Sequence, residues 1–177
     1  MQNKNDVSRF ERLFLPHLDA AYNLARWLTR NHNAAQDVVQ ESSLRAFNSL
    51  HRFAEGNARA WLLAIVRNQS YTWLKESSGR RFVDIEDEEA LSERDKAQLG
   101  HPDTPEAWAV RMQEKQALQL ALESLPEAFR EVIVLKELEE MSYKEIAAVT
   151  DVPIGTVMSR LARGRDMLKI KLRAYHE

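Results

Sequence analysis

Between Pro153 and Arg173 the chain sets Arg160, Arg163, Arg165, Lys169, Lys171 and Arg173 against the single acid Asp166, a local charge of +5. At about 100° per residue, Thr156, Ser159, Arg160 and Arg163 gather on one side of a helix. Ile154, Val157, Met158, Leu161 and Leu168 fall within an arc of roughly 100° opposite them. Hydroxyls and guanidiniums collected on one face are the groups that contact phosphates and base edges. A solvated basic helix on a bundle is the plainer reading, but the residues in front of it carry more. Ser142-Tyr-Lys-Glu145 is a capping box, in which the serine accepts from a backbone amide and the glutamate reaches back to the cap. Thr150-Asp151-Val152 breaks the short helix so opened, and Pro153 restarts a helix at its first turn. Ala147 is small where two helices must cross closely. A short helix, a three-residue turn and a longer basic helix form the helix-turn-helix signature of duplex DNA binding.

A second group of residues could carry a protein contact. On a helix spanning about 34–50, Asp37, Gln40, Glu41, Leu44 and Asn48 share the face opposite Ala35, Val38, Val39 and Ala46. Charges on an outer face are ordinarily just solvated, whereas Leu44 among them suits a docking surface; the residues alone leave both readings open. Covalent chemistry has little to work with. There is no cysteine, which excludes disulfide scaffolds, thiolate zinc sites and thiol catalysis. His17, His32, His51, His101 and His176 are scattered, without metal-ligand spacing or a glycine-rich phosphate loop, so neither an enzyme nor a metal or cofactor site is expected.

The elements that must position these groups read as helices throughout. A stripe of Leu13, Phe14, Leu18, Ala21, Leu24, Ala25 and Leu28 marks a first helix, with Pro16 predicting a late start or a kink. Asn31-His32-Asn33 is a break, Phe53–Asn57 with Gly56 is a loop, and a third helix runs from Ala58 to about Lys75. Composition then changes: residues 84–95 hold seven acids and one arginine, followed by Pro102 and Pro105. Such a stretch buries too little apolar surface to fold alone. Helical periodicity returns near Glu106, and Pro126 stands as a first-turn proline. The expected fold is all-α: two small helical domains, over 7–76 and 106–175, joined by an acidic flexible linker over 77–105. Charge follows the same division, with +3 in 1–76, −4 in 77–111 and −1 in 112–177. The total of −2 over 177 residues therefore hides a basic face at each end of an acidic tether. The longest uncharged apolar stretch, Ala60–Val66, is far below the roughly 20 residues of a membrane span. With a polar start and no export signal, a cytoplasmic protein without membrane insertion is expected.

Two sets of residues then resemble a known family. Asp37-Val-Val-Gln-Glu41, Leu44-Arg45-Ala46, Arg52-Phe53, Arg59-Ala-Trp61-Leu62 and Arg67-Asn68 are similar to conserved region 2 of bacterial sigma factors. The run from Leu125-Pro126 through Glu145-Ile-Ala147 to Val152-Pro-Ile-Gly-Thr-Val157 and Ser159-Arg-Leu161 resembles region 4. With both regions on a short tether, the chain resembles the extracytoplasmic-function (ECF, group 4) sigma factors of RNA polymerase. The resemblance implies that Asp37, Gln40, Glu41 and Leu44 dock on the β′ clamp helices of core polymerase, while the second domain meets the β flap. It implies that the loop carrying Gly56, Asn57 and Ala58 captures a base of the −10 promoter element, and that Arg67, Asn68 and Tyr71 contact the melted strand. Arg67, Asn68, Tyr71 and Lys75 do lie within about 100° on the third helix, the basic-plus-aromatic surface that single strands require. Trp61 is better suited to the core than to base stacking. The −35 element falls to Thr156, Ser159, Arg160 and Arg163, with Lys136 as a phosphate contact. An anti-sigma factor is an implied partner, able to hold the protein at the inner membrane face. The competing reading is an autonomous helix-turn-helix regulator that binds duplex DNA without being a polymerase subunit.

Overall fold

The computed structural model describes residues 2–78 and 104–176, and among these the chain is helical and contains no strand. Helix α1 (Gln2–Phe14) passes through a 3-10 turn (Leu15–His17) into α2 (Leu18–Thr29). Pro16 lies in that turn, where its missing N–H forbids a continuous α-helix, so the proline kinks the helix instead of delaying its start. Arg30 closes α2 in the left-handed conformation (φ 55°), its amide donating to the Arg26 carbonyl at 2.8 Å. Helix α3 (His32–Asn48) begins two residues before Ala34 because Asn31 is its cap, accepting from the Ala34 amide at 2.8 Å. Asn57 caps α4 (Ala58–Ser77) in the same way, through the Ala60 amide at 3.0 Å. Leu24, Leu28, Val38, Ala46, Leu62, Leu63 and Val66 fill the space between α2, α3 and α4. Trp61 packs against Phe14 and Phe53, with ring centroids 5.3 and 5.2 Å apart, so it is a core residue.

The second module opens at Thr104, which caps α5 (Pro105–Glu123). Pro126 occupies the cap of α6 (Glu127–Ile133), one position ahead of the first-turn site expected for it. The chain then widens into a π-turn over Val134–Leu138, in which the Glu139 amide reaches back to the Val134 carbonyl at 3.1 Å. Helix α7 (Tyr143–Thr150) carries the complete capping box: Glu145 N–H to Ser142 Oγ at 3.1 Å and Ser142 N–H to Glu145 Oε2 at 2.7 Å. Asp151 (φ 54°) ends it in the left-handed region, and α8 runs from Ile154 to His176. Ala147 is half-buried and packs against the core, and a further close approach of helices lies at Gly164. A β-carbon there would lie 2.8 Å from Ile133 Cδ1 and 3.4 Å from Phe129 Cβ, so any larger residue must displace the Ile133 side chain where α8 packs on α6. The two modules touch along α4 with α7 and α2 with α6. The tether expected over 77–105 lies, apart from its ends, outside the described residues.

Candidate promoter and polymerase interfaces

On α3 the buried stripe of Ala34, Ala35, Val38, Ser42 and Ala46 turns the opposite face outward. Asp37, Gln40, Glu41 and Leu44 are all exposed on that face, and Leu44 is 56% exposed. Glu41 accepts from Arg45 Nε at 3.0 Å, an exposed i,i+4 pair of the kind worth little to stability. What remains is an acidic and amide face around an aliphatic side chain that is more than half exposed.

The loop before α4 holds Gly56 at φ 136°, a conformation that L-residues rarely adopt, with open space where a side chain would stand. Asn57 is exposed and has two tasks: its carbonyl caps α4, and its amide donates to Glu145 of α7 at 2.6 Å. Ala58 is half-buried at the first turn. Farther along α4, Asn68 is exposed, whereas Arg67 lies 4.3 Å above the Tyr71 ring and both are half-buried. Burial, followed by the neighbouring Glu131 carboxylate, pushes the Tyr71 phenol above its ordinary range.

On α8 the buried side centres on Val157, Leu161 and Gly164. Ser159 and Arg163 are exposed, as the sequence expects of a contact face. The packing arc read from the sequence is too wide, however. Ile154 and Met158 are 45% and 53% exposed, on the outer surface with Ser159, Ala162 and Arg163. Thr156 and Arg160 sit instead on the flank and are half-buried. The Ser159 hydroxyl donates to the Thr156 carbonyl at 3.1 Å. Lys136 donates to the Met141 carbonyl at 3.3 Å and covers the Tyr143 ring at 4.9 Å, anchoring the π-turn to the start of α7.

Glu131 of α6, which the sequence reading passed over, links two of these groups. It is fully buried, and Arg67 grips it with Nε at 2.9 Å and a terminal nitrogen at 3.2 Å. Arg160 comes within 3.9 Å of the same carboxylate. Burial raises the Glu131 pKa, and the Arg67 hydrogen bonds oppose that rise. Arg130, 2% exposed, donates at 2.7 Å to both the Trp27 and Leu125 carbonyls and so ties α6 to the end of α2. One signal for Glu131 exists in the sequence: it stands on the helical stripe of Leu135, where an acid has no solvent to face.

Two helical modules, one whose α3 turns Leu44 and polar side chains to solvent and one that carries a capped helix-turn-helix, define a class of two-module all-α proteins with the motif of duplex DNA binding. Residues 13–80 match the Sigma-70 region 2 family and residues 115–168 match Sigma-70, region 4. The chain is 34% identical over 160 residues to the ECF RNA polymerase sigma factor SigE of Mycolicibacterium smegmatis, covering 90% of this chain and 60% of that relative. It is 36% identical over 152 residues to the ECF RNA polymerase sigma-E factor of Haemophilus influenzae, covering 84% of this chain and 79% of that one. The sigma factor RpoE of Bartonella quintana, solved with the anti-sigma factor NepR, superposes with a TM-score of 0.69 at 29% identity, covering 93% of this chain and 97% of that one. The chain belongs to the ECF RNA polymerase sigma factors. That membership favours a polymerase-associated role over the autonomous regulator.

Proposed function

We propose that the protein directs promoter-specific initiation by binding core RNA polymerase and reading a −35 duplex element and a −10 single-stranded element. The outer face of α3, with Asp37, Gln40, Glu41 and Leu44, docks on the β′ clamp helices, and the second module meets the β flap. Gly56, Asn57 and Ala58 form the base-capture loop, and Arg67, Asn68 and Tyr71 hold the displaced strand through charge and stacking. Thr156, Ser159, Arg160 and Arg163 of α8, with Lys136 behind them, address the −35 element. No bond is made or broken by this chain; capture of an extruded base offsets an unpairing cost of a few kcal/mol. The observation that carries the reading is Leu44, more than half exposed among polar residues on a helix whose other face is fully packed.

An anti-sigma factor is the expected regulator, as the relative RpoE was solved with one. The expected location is the cytoplasm, with the inner membrane face as the place of sequestration; no helix among the described residues is long and apolar enough to cross a membrane. Fluorescence anisotropy of labelled duplexes from a promoter library tests the division of labour. Sequence-selective binding should require core polymerase. Equally selective binding by the chain alone would establish the autonomous regulator instead.

A further inference from the structure

The outer surface of α8 is divided along its length. At about 100° per residue, Ser159 and Arg163 form one edge, Ile154 and Met158 form the other, and Gly155 and Ala162 run between them. All of these residues are exposed. A β-carbon on Gly155 would meet nothing within 4 Å, and Ala162 ends at its methyl, so the midline lets the helix backbone come close to whatever it faces. Ile154 and Met158 are each about half exposed. Arg165 falls between them on the wheel, but its guanidinium donates to Glu137 at 2.6 Å. The cation on this edge is thus already engaged, and what the edge presents outward is aliphatic. Single apolar residues are normal on any protein surface. These two stand one turn apart on a helix of local charge +5 between Pro153 and Arg173, beside the hydroxyl and guanidinium assigned to the −35 duplex. That charge draws the face to phosphate, so duplex DNA is the occupant it suits.

We propose that Met158 and Ile154 are specificity-determining residues that read thymine, by packing on C5-methyl groups that the −35 element presents in the major groove. The inference rests on the assignment of α8 to the −35 duplex and adds what its apolar edge selects. Among the DNA bases, thymine alone carries an apolar group on its major-groove edge, and aliphatic side chains are its partners there. Ser159 and Arg163 can bond to phosphates and to acceptor atoms of any base that offers them. An aliphatic side chain makes no such bond and gains only where it and a methyl group leave water together. Methionine suits that contact, because its unbranched and polarizable side chain adapts to irregular contours. Opposite guanine or cytosine the same side chain would cover polar edge groups and cost their hydration. The polar edge therefore holds the helix in the groove, and the apolar edge discriminates between sequences.

The test uses the full chain with core polymerase, in run-off transcription from a promoter mapped in vitro with the same components. Deoxyuridine in place of thymine throughout the −35 element removes the methyl groups and keeps every hydrogen-bonding atom. At limiting protein the wild-type chain should lose about fourfold in initiation for each methyl group contacted, the change that burying one methyl from water corresponds to. Met158→Ala should initiate less than wild type on the thymine promoter and lose most of the sensitivity to deoxyuridine. Arg163→Ala should also initiate less but keep that sensitivity. Equal initiation by the wild-type chain from thymine and deoxyuridine promoters would overturn the proposal, whether or not the variants fold. Met158→Ala weakened by one factor on both templates would overturn it too, as that is the result expected if a protein surface covers Met158. A wild-type chain that initiates from no promoter, or an Arg163→Ala chain as active as wild type, would remove the assignment of α8 beneath the proposal, and the proposal with it.

Discussion

Leu44→Ala separates docking from folding. Fully burying a leucine side chain is worth about 1.5–3 kcal/mol relative to leaving it in water. Leu44 has 56% of its surface left to bury, so its truncation removes about 0.8–1.7 kcal/mol from a partner interface, a 4- to 17-fold rise in Kd. The fold loses less, because substitutions at exposed positions such as this one stay within about 0.5 kcal/mol. Val38 supplies the contrast from the same helix. It is 5% exposed on the inner face, and Val38→Ala should cost about 2 kcal/mol of stability as two methyl groups are lost and a cavity remains. The assay is competition between each variant and labelled wild-type chain for core polymerase, beside urea unfolding of the free protein. Leu44→Ala should weaken competition with an unchanged urea midpoint, and Val38→Ala should do the reverse once refolding is complete. A Leu44→Ala protein that competes as well as wild type would refute the docking assignment. One that unfolds earlier would show that α3 uses Leu44 in the fold.

Three further outcomes follow from particular geometries. The Glu145 pKa lies below its ordinary value, chiefly through the Ser142 backbone hydrogen bond. The stability it contributes is therefore present above the unfolded carboxylate range and lost as pH falls through the folded value, so thermal melts from about pH 7 to about pH 3 should decline less steeply for Glu145→Gln. Gly164→Val should lower the urea midpoint by the equivalent of about 1–3 kcal/mol, since its β-carbon alone already meets Ile133 at 2.8 Å; an unchanged midpoint would mean that α6 yields. On the outer face of α8, Arg163→Ala should reduce −35-dependent initiation about tenfold, the usual scale of a lost base or phosphate contact. Asp166→Ala should change it little, and equal effects would count against the face assignment.

Local signals in the sequence carried the elements well. The Ser142–Glu145 box, the Pro16 kink and the glycine of the 53–57 loop are each decided within a few residues, and each stands where its chemistry demands. The helical wheel of α8 fails for a definable reason. It weighs every apolar residue as buried, yet the centre of the packed side is Gly164, which has no apolar side chain to signal with. Ile154 and Met158 thus drew the arc away from its true axis. Glu131 is the larger omission, because its meaning depends on Arg67, which lies 64 residues earlier across the tether. Periodicity can show that an acid stands on an apolar stripe; it does not name the guanidinium that makes this tolerable. The net charge of −2 misleads in the same manner, since binding is set by local faces and not by the sum.

Run-off transcription with purified core polymerase on a promoter library tests the central claim most directly. Discrete transcripts should appear only when this chain is added, from starts preceded by shared −35 and −10 sequences at one spacing. Transcripts independent of the chain, or none at all, would contradict the account.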